Sequence, residues 1–346
     1  MESPILELKA ISLRFGGLTA VNGLNLSVLP GQIFSIIGPN GAGKTSVFNV
    51  ITGIYPPTEG KVFFQGGETL RKFTSHTLLS YLLVAFCTGA FLTCALHAQA
   101  LWEATITANY AYQQPFPWEQ AFSSFINFFS ERPFHETLLP FHLGLVVGGA
   151  GAHAVWVRSR RAPDIVSAHG VARTFQNIRL FPQMTALENV LVGMSTKLQS
   201  SFFANLIRLP AFHREHRESV AEARRLLDFV GLLSAADFAS SSLPYGHQRR
   251  LEIARALASK PNLILLDEPA AGMNPSETVD LMALIKKIQG IGVTVLLIEH
   301  HMRVVMAISD RIAVLDYGNK IAEGTPDEIK ANPKVIEAYL GKDIKH

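Results

Sequence analysis

Gly38-Pro39-Asn40-Gly41-Ala42-Gly43-Lys44-Thr45 fits the pattern G-x-x-x-x-G-K-[ST], the spacing that cradles a chain of phosphates. Each residue type has a physical reason. Glycines let the backbone curl until successive N–H groups converge on phosphate oxygens, and the helix that follows adds the positive end of its dipole. Lys44 supplies a mobile cation for the β- and γ-phosphates, and Thr45, followed by Ser46, offers a hydroxyl to Mg²⁺. A second constellation lies far along the chain. Leu263-Ile264-Leu265-Leu266-Asp267-Glu268 is an apolar run that ends in two adjacent carboxylates. Asp267 at a strand tip can reach Mg²⁺ directly or through water. Glu268 alternates to the other side, where it can polarise a water for in-line attack on a γ-phosphorus. Either motif alone could be a glycine-rich turn or a surface acid pair; together they describe hydrolysis of a nucleoside triphosphate.

These residues need strands and helices to hold them. Ile33 to Ile37 is a short, mostly β-branched run stopped by Gly38, which predicts a buried strand feeding the phosphate loop. Lys44 to Ile51 is free of breakers and predicts a helix. Leu263 to Leu266 and Gly292 to Ile298 predict two more buried strands, closed by Asp267 and Glu299. Between them, apolar residues at Val279, Leu281, Met282, Leu284, Ile285 and Ile288 predict a helix over Ser276 to Gln289. Strands alternating with helices imply an α/β fold with a largely parallel sheet. Ile5 to Leu13 and Leu24 to Leu29 alternate apolar and polar, as half-exposed antiparallel strands do. From Thr185 to Val230 strand signals vanish, and Ala221, Leu226, Leu227 and Val230 form a helical stripe, so a mostly helical subdomain is expected there.

The 346 residues carry 31 Lys+Arg against 28 Asp+Glu, a net charge of +3 that gives no argument for nucleic acid. Cys87 and Cys94 are the two cysteines, too few for a disulfide framework, and no four-ligand zinc pattern occurs. Met1 to Arg14 carries Glu2, Glu7, Lys9 and Arg14 and lacks the apolar core of a signal peptide, so the N-terminus is expected in the cytoplasm.

The charged fraction is 17% overall but falls to about 11% from Gly67 to Ala162. Phe73 to Trp102 contains no Asp, Glu, Lys or Arg, and residues 77–97 are long enough to cross a bilayer as a helix. Residues 138–157 form a second such segment, with Gly144 and Gly148 at a spacing that permits close helix contact. Arg71 and Lys72 precede the first segment, and Arg158, Arg160 and Arg161 follow the second. The loop between carries Glu103, Glu119, Glu131 and Glu136 against Arg132 alone. Positive flanks inside and an acidic loop outside predict a transmembrane hairpin that contacts lipid; the competing reading is a pair of buried helices covering the soluble domain.

With these residues in view, the chain resembles the ATP-binding subunit of an ABC transporter. Phe15 matches the aromatic that stacks on adenine, and residues 38–45 match Walker A. Gln176, in Arg173-Thr174-Phe175-Gln176-Asn177, matches the Q-loop glutamine. Leu243-Pro244-Tyr245-Gly246-His247-Gln248-Arg249-Arg250 matches the signature segment. Asp267 and Glu268 match Walker B and its catalytic glutamate, and His300 matches the switch histidine. Leu243 to Leu257, Asp267 to Asn274 and Asn332 to Leu340 resemble the LivG type, from branched-chain amino-acid importers. Pro244 and Tyr245 stand where most ABC proteins have Ser and Gly, and Asn274 replaces the D-loop aspartate, both as in the LivG type; His247 stands where Gln is usual.

The resemblance implies a P-loop ABC ATPase domain over 1–66 and 163–346, with a helical subdomain over about 180–243, interrupted by an inserted segment over 67–162 that the family does not predict. It also implies ATP and Mg²⁺ as ligands. Two subunits, identical or different, would pack head to tail, each ATP lying between Walker A of one chain and Pro244, Tyr245, Gly246 and His247 of the other. Glu268 would act on the attacking water, His300 on the γ-phosphate and Gln176 on Mg²⁺ and water, with Thr45 and Asp267 completing the metal ligands. The partners would be permease subunits, seated on the helical region near Arg179, and indirectly a solute-binding protein, at the cytoplasmic face of the bacterial inner membrane. A urea or amide importer has similar subunits. A non-transport ABC ATPase would carry charged heptads or a second phosphate loop, and a nucleotide-sensing scaffold would not need Glu268 and His300.

Overall fold

The computed structural model describes residues 3–69, 73–130, 132–159, 162–195 and 210–340. The chain divides into two compact units, Met1–Leu70 with Arg161–His346, and Arg71–Arg160.

Among the described residues the strands all lie in the first unit: β1 (Leu6–Phe15), β2 (Leu18–Val28), β3 (Ile33–Ile37), β4 (Glu59–Phe64), β5 (Gly67–Glu68), β6 (Val171–Arg173), β7 (Leu263–Asp267), β8 (Thr294–Ile298), β9 (Arg311–Asp316) and β10 (Asn319–Gly324). One sheet is six-stranded, in the order β10-β9-β3-β8-β7-β6; the other is four-stranded, in the order β2-β1-β4-β5. In the larger sheet every pairing is parallel except β9 with β10. The sequences explain the difference. β3, β7 and β8 read IFSII, LILLD and TVLLI, without alternation, and every position is buried. Such strands need cover on both faces, as parallel sheets have. β1 and β2 mix buried and exposed positions and pair antiparallel.

Successive residues of the buried strands face opposite sides of the sheet and enter different core clusters, the two largest of which flank β7 and β8. Ile264, Leu266, Val295 and Leu297 pack with Leu281, Ile285, Ile288, Leu251 and Ile253. Phe34, Ile36, Leu263, Leu265, Leu296 and Ile298 pack with Val47, Phe48 and Ile51. The helix Lys44–Ile51 thus lies against one face and the helices Tyr245–Ala258 and Pro275–Gly290 against the other. Pro275–Gly290 exceeds the expected span by one residue at each end. Pro275 takes the first helical position, where its missing N–H costs nothing, and Asn274 and Glu277 form a capping box. Between Thr185 and Val230 the described residues are helical, as Ala186–Met194 and Pro210–Phe229.

In the second unit the helices Ser75–Leu96 and Phe134–Ser159 pair side by side. Contacts run in opposite directions along them, from Tyr81 with His153, through Phe86 with Phe141, to His97 with Glu136. Glycines bring the backbones together: a methyl group on Gly144 would lie 2.5 Å from the Gly89 Cα, and one on Gly148 would lie 2.9 Å from the Ala85 Cα. The region between is not the loop the sequence suggested. It contains Ala98–Trp102, a π-helical turn Glu103–Thr107 and the helix Trp118–Ser130. The last is amphipathic, with Trp118, Phe122 and Phe125 on one side, a pattern obscured in the sequence by the aromatic clustering at Phe128 and Phe129. Both long helices pass by length and composition as membrane spans, and only 11% of each apolar window is buried. The flanking Arg71, Lys72, Arg160 and Arg161, and Glu131, lie outside the described residues.

Candidate functional site

Strand order alone gathers the chemistry. β3, β8 and β7 are adjacent and parallel, so their C-terminal ends share one edge of the sheet, with β6 beside β7. The phosphate loop follows β3, Asp267 and Glu268 end β7, His300 follows β8, and Gln176 follows β6. Ligands in open α/β sheets bind at this edge because helix N-termini converge there.

The loop needs its glycines. Gly43 caps the helix Lys44–Ile51 in the left-handed region (φ 96°), and a Cβ there would lie 2.3 Å from the Ala20 carbonyl oxygen. A Cβ on Gly38 would lie 2.1 Å from the Leu315 oxygen. The Lys44 ammonium is buried and folded back, donating to the carbonyls of Gly38 at 2.8 Å and Pro39 at 2.9 Å. Burial pushes its pKa below the usual lysine range, opposed by the charges of Glu268 and Asp267. It is therefore a cation with weak compensation, suited to an incoming polyanion.

A cleft of about 490 Å³ opens beside it, lined by Phe15, Asn40, Gly41, Ala42, Gly43, Lys44, Thr45, Ser46, Gln176 and Glu268, among others. Phe15 stands at its rim, 44% exposed and edge-on to Tyr55 at 5.2 Å. Gly38 and Pro39 do not line the cleft; their part is to hold Lys44.

Glu268 does not simply alternate across the strand as its sequence position implied. It leaves β7 with a left-handed backbone (φ 47°), its N–H bonded to the Ile298 carbonyl. That costs about 1–3 kcal/mol for a non-glycine residue. The kink brings three residues from three strand ends together. Gln176 Nε2 donates to Glu268 Oε2 at 2.9 Å, and His300 Nδ1 lies 3.6 Å from the same oxygen. Asp267 is buried behind them, and burial raises its pKa while Arg173 opposes the rise.

Three supports were not read from the sequence. Arg173 donates to Asp267 Oδ2 at 2.8 Å and to Asn49 Oδ1 at 2.7 Å, tying Walker B to the phosphate-loop helix. The fully buried Glu299 accepts from the N–H groups of Ala270 at 2.8 Å and His300 at 3.2 Å, orienting the histidine's backbone. Tyr339 makes a backbone hydrogen bond with Gly38, and burial pushes its phenol up to about 12. Arg173 and Glu299 sit within three residues of recognised motifs, and a charged residue beside an apolar strand was the available signal.

The signature segment stands apart: Pro244, Tyr245, Gly246 and His247 are absent from the cleft's lining. The helix starts at Tyr245, two residues before His247, with Pro244 as its N-cap. Tyr245 is exposed, His247 half-buried on the first turn, and Gly246 lies against the Glu277 carboxylate. Thr45, Gln176 and Asp267 offer a hydroxyl, an amide oxygen and a carboxylate, a hard all-oxygen set that fits Mg²⁺ rather than a softer ion.

A family model described as ABC transporter matches residues 21–87 and 158–271, leaving the region between unmatched. A second, described as branched-chain amino acid ATP-binding cassette transporter, matches residues 319–345. The chain is 38% identical over 343 residues to the high-affinity branched-chain amino acid transport ATP-binding protein BraF of Pseudomonas aeruginosa, covering 99% of this chain and 100% of that protein. It is 36% identical, with the same coverage, to LivG of Escherichia coli strain K12. A crystal structure of a nucleotide-free ATP-binding cassette from an ABC transporter aligns with a TM-score of 0.63 at 26% identity, over 98% of this chain and 100% of that one.

Proposed function

The chain belongs to the ATP-binding subunits of ABC transporters, of the branched-chain amino-acid (LivG) type, and from that premise we propose that it hydrolyses ATP to power import of branched-chain amino acids. One observation carries the reading of the site. Lys44, Gln176, Glu268 and His300, from four separate motifs, converge on one sheet edge, while the signature segment faces elsewhere on the same chain. A site lacking its signature segment is completed by a second subunit packed head to tail.

The residues then act as follows. Phe15 stacks on the base. Loop N–H groups and Lys44, released from the Gly38 and Pro39 carbonyls, hold the phosphates. Glu268, already held by Gln176 and beside His300, orients the attacking water and receives its proton. His300, beside Glu268, steadies the γ-phosphate. Thr45, Gln176 and Asp267 would hold Mg²⁺, which supplies charge neutralisation on the phosphate oxygens. The first turn of the partner subunit's signature helix closes the γ-phosphate with backbone N–H groups and the helix dipole.

A groove of about 310 Å³ between the core and the helical subdomain, lined by Phe175, Arg173, Val192, Gly193 and Arg255, suits a cytoplasmic helix of the permease. On this reading the ATPase works at the cytoplasmic face of the inner membrane, as a subunit of a transporter like its relatives. The solute is tested by uptake: cells lacking this chain should lose most leucine uptake and keep urea and acetamide uptake. Loss of urea or acetamide uptake with leucine unaffected would assign it to the amide-importing relatives instead.

The inserted unit is read as a membrane-spanning hairpin. Supporting it are the first helix, which carries no charged residue, and the second, whose Glu136 and Arg158 lie in its end turns, together with the outward-facing Leu79, Phe91, Leu139 and Val146 and the glycine-lined contact between the two. Carbonate washing of membranes, in cells without the permease, should leave the chain in the pellet. Its release into the supernatant would defeat the hairpin while leaving the ATPase reading intact.

A further inference from the structure

One turn into the signature helix, Arg249 and Glu252 form an ion pair at 2.8 Å with side chains 0% and 2% exposed. Arg249 Nη1 donates to the Phe175 carbonyl at 2.7 Å, and Nη2 donates to the Gln176 carbonyl at 2.7 Å and to the Tyr245 hydroxyl at 3.3 Å. Glu252 Oε1 accepts from the N–H groups of Phe175 at 3.3 Å and Arg179 at 3.5 Å. One buried pair therefore satisfies two carbonyls and two amides of the Q-loop and touches the signature tyrosine. A buried ion pair is an expensive way to fill space, and apolar side chains of similar volume are often as stable or more so. What an apolar pair cannot do is fix a loop's backbone to a helix.

The two ends of this clasp serve different nucleotides. Gln176 reaches Glu268 in the cleft of its own chain, whereas Tyr245 and Gly246 lie outside that cleft. We infer that Arg249 and Glu252 are positioning residues that make the Q-loop and the signature segment move as one body, so that occupancy of one ATP site is transmitted to the other. The inference rests on the head-to-tail pairing proposed above. In such a pair, ATP drawing in Gln176 of one chain shifts that chain's signature helix, which closes on the second ATP. Two sites joined in this way bind cooperatively, with a coupling that is reciprocal by linkage. The clasp is the physical connection such a coupling requires.

The test uses the full chain, purified in detergent, with an Arg249→Met/Glu252→Leu double variant. Removing both charges together avoids leaving one unpaired in the core. The double variant should fold, bind a fluorescent ATP analogue as a monomer within about twofold of the parent, and lose amide-exchange protection at Phe175 and Arg179 by about tenfold or more. ATP hydrolysis by the parent should be sigmoidal, and the double variant's should be hyperbolic. Arg249→Lys keeps the charge but cannot bridge both carbonyls, and should fall between the two; it also serves as the test should the double variant not fold. Retained sigmoidicity in a folded variant, or a parent that pairs with ATP yet hydrolyses it hyperbolically, overturns the inference. A parent that does not pair with ATP at all overturns the head-to-tail reading instead.

Discussion

Replacing Lys44 by alanine should weaken ATP binding by about 30-fold or more and abolish ATP-driven uptake. The reason is electrostatic. The ammonium sits in a buried pocket that already lowers its pKa, and it donates to the Gly38 and Pro39 carbonyls. On ATP arrival those two neutral acceptors are exchanged for charged phosphate oxygens, which adds a direct charge–charge attraction that a carbonyl does not offer. Alanine removes the exchange and leaves phosphate charge uncompensated in a low-dielectric cleft. Folding should be little affected, because both hydrogen bonds of the ammonium are local, within six residues of sequence. The measurement is equilibrium titration with a fluorescent ATP analogue alongside thermal unfolding. A variant that binds as tightly as the parent would remove Lys44 from the phosphate site.

The second expected result separates binding from chemistry. Glu268→Gln should leave ATP affinity unchanged or slightly tighter and reduce turnover by about 10²–10⁴-fold. The carboxylate holds no structural bond that an amide of the same shape cannot replace: its neighbours are the Gln176 amide at 2.9 Å and His300 at 3.6 Å. Removing its charge also lessens repulsion of the triphosphate, since Glu268 and Asp267 both lie near Lys44. The variant has no base for the attacking water. Steady-state phosphate release and nucleotide binding on the same preparation check both halves. Turnover within a few-fold of the parent would take Glu268 out of its assigned role.

How far the site could be read in advance depended on whether its parts are local in sequence. The phosphate loop and the Asp267-Glu268 strand end are contiguous, with turn and helix chemistry dictated by the same few residues, so their elements were readable to within a residue or two. The buried strands β3, β7 and β8 announced themselves by continuous apolar runs. β6 did not, because three residues give no period, and neither did β9 and β10, a short hairpin of six-residue strands joined at Tyr317-Gly318 whose second strand is mostly half-buried or exposed. The supports were hidden for a different reason. Arg173 meets Asp267 across 94 residues, and Arg249 meets the Q-loop across 73 or more. Such pairs exist only once sheet order places β6 beside β7 and the signature helix beneath them. The left-handed turn at Glu268 is likewise a product of the fold, since local preference opposes φ > 0 at glutamate. In the inserted unit, charge distribution and glycine spacing anticipated two long paired helices, while the helical structure between them was missed because its period is blurred by aromatic residues on several sides.

Sealing of ATP between the phosphate loop of one chain and the signature segment of another is the step on which the proposed mechanism turns. Sedimentation of the full-length Glu268→Gln variant in detergent, with saturating ATP and with ADP, tests it most directly. The expected result is a dimer with ATP and a monomer with ADP, and loss of the dimer when Lys44→Ala is added. A chain that stays monomeric in saturating ATP, or pairs equally with ADP, would contradict it.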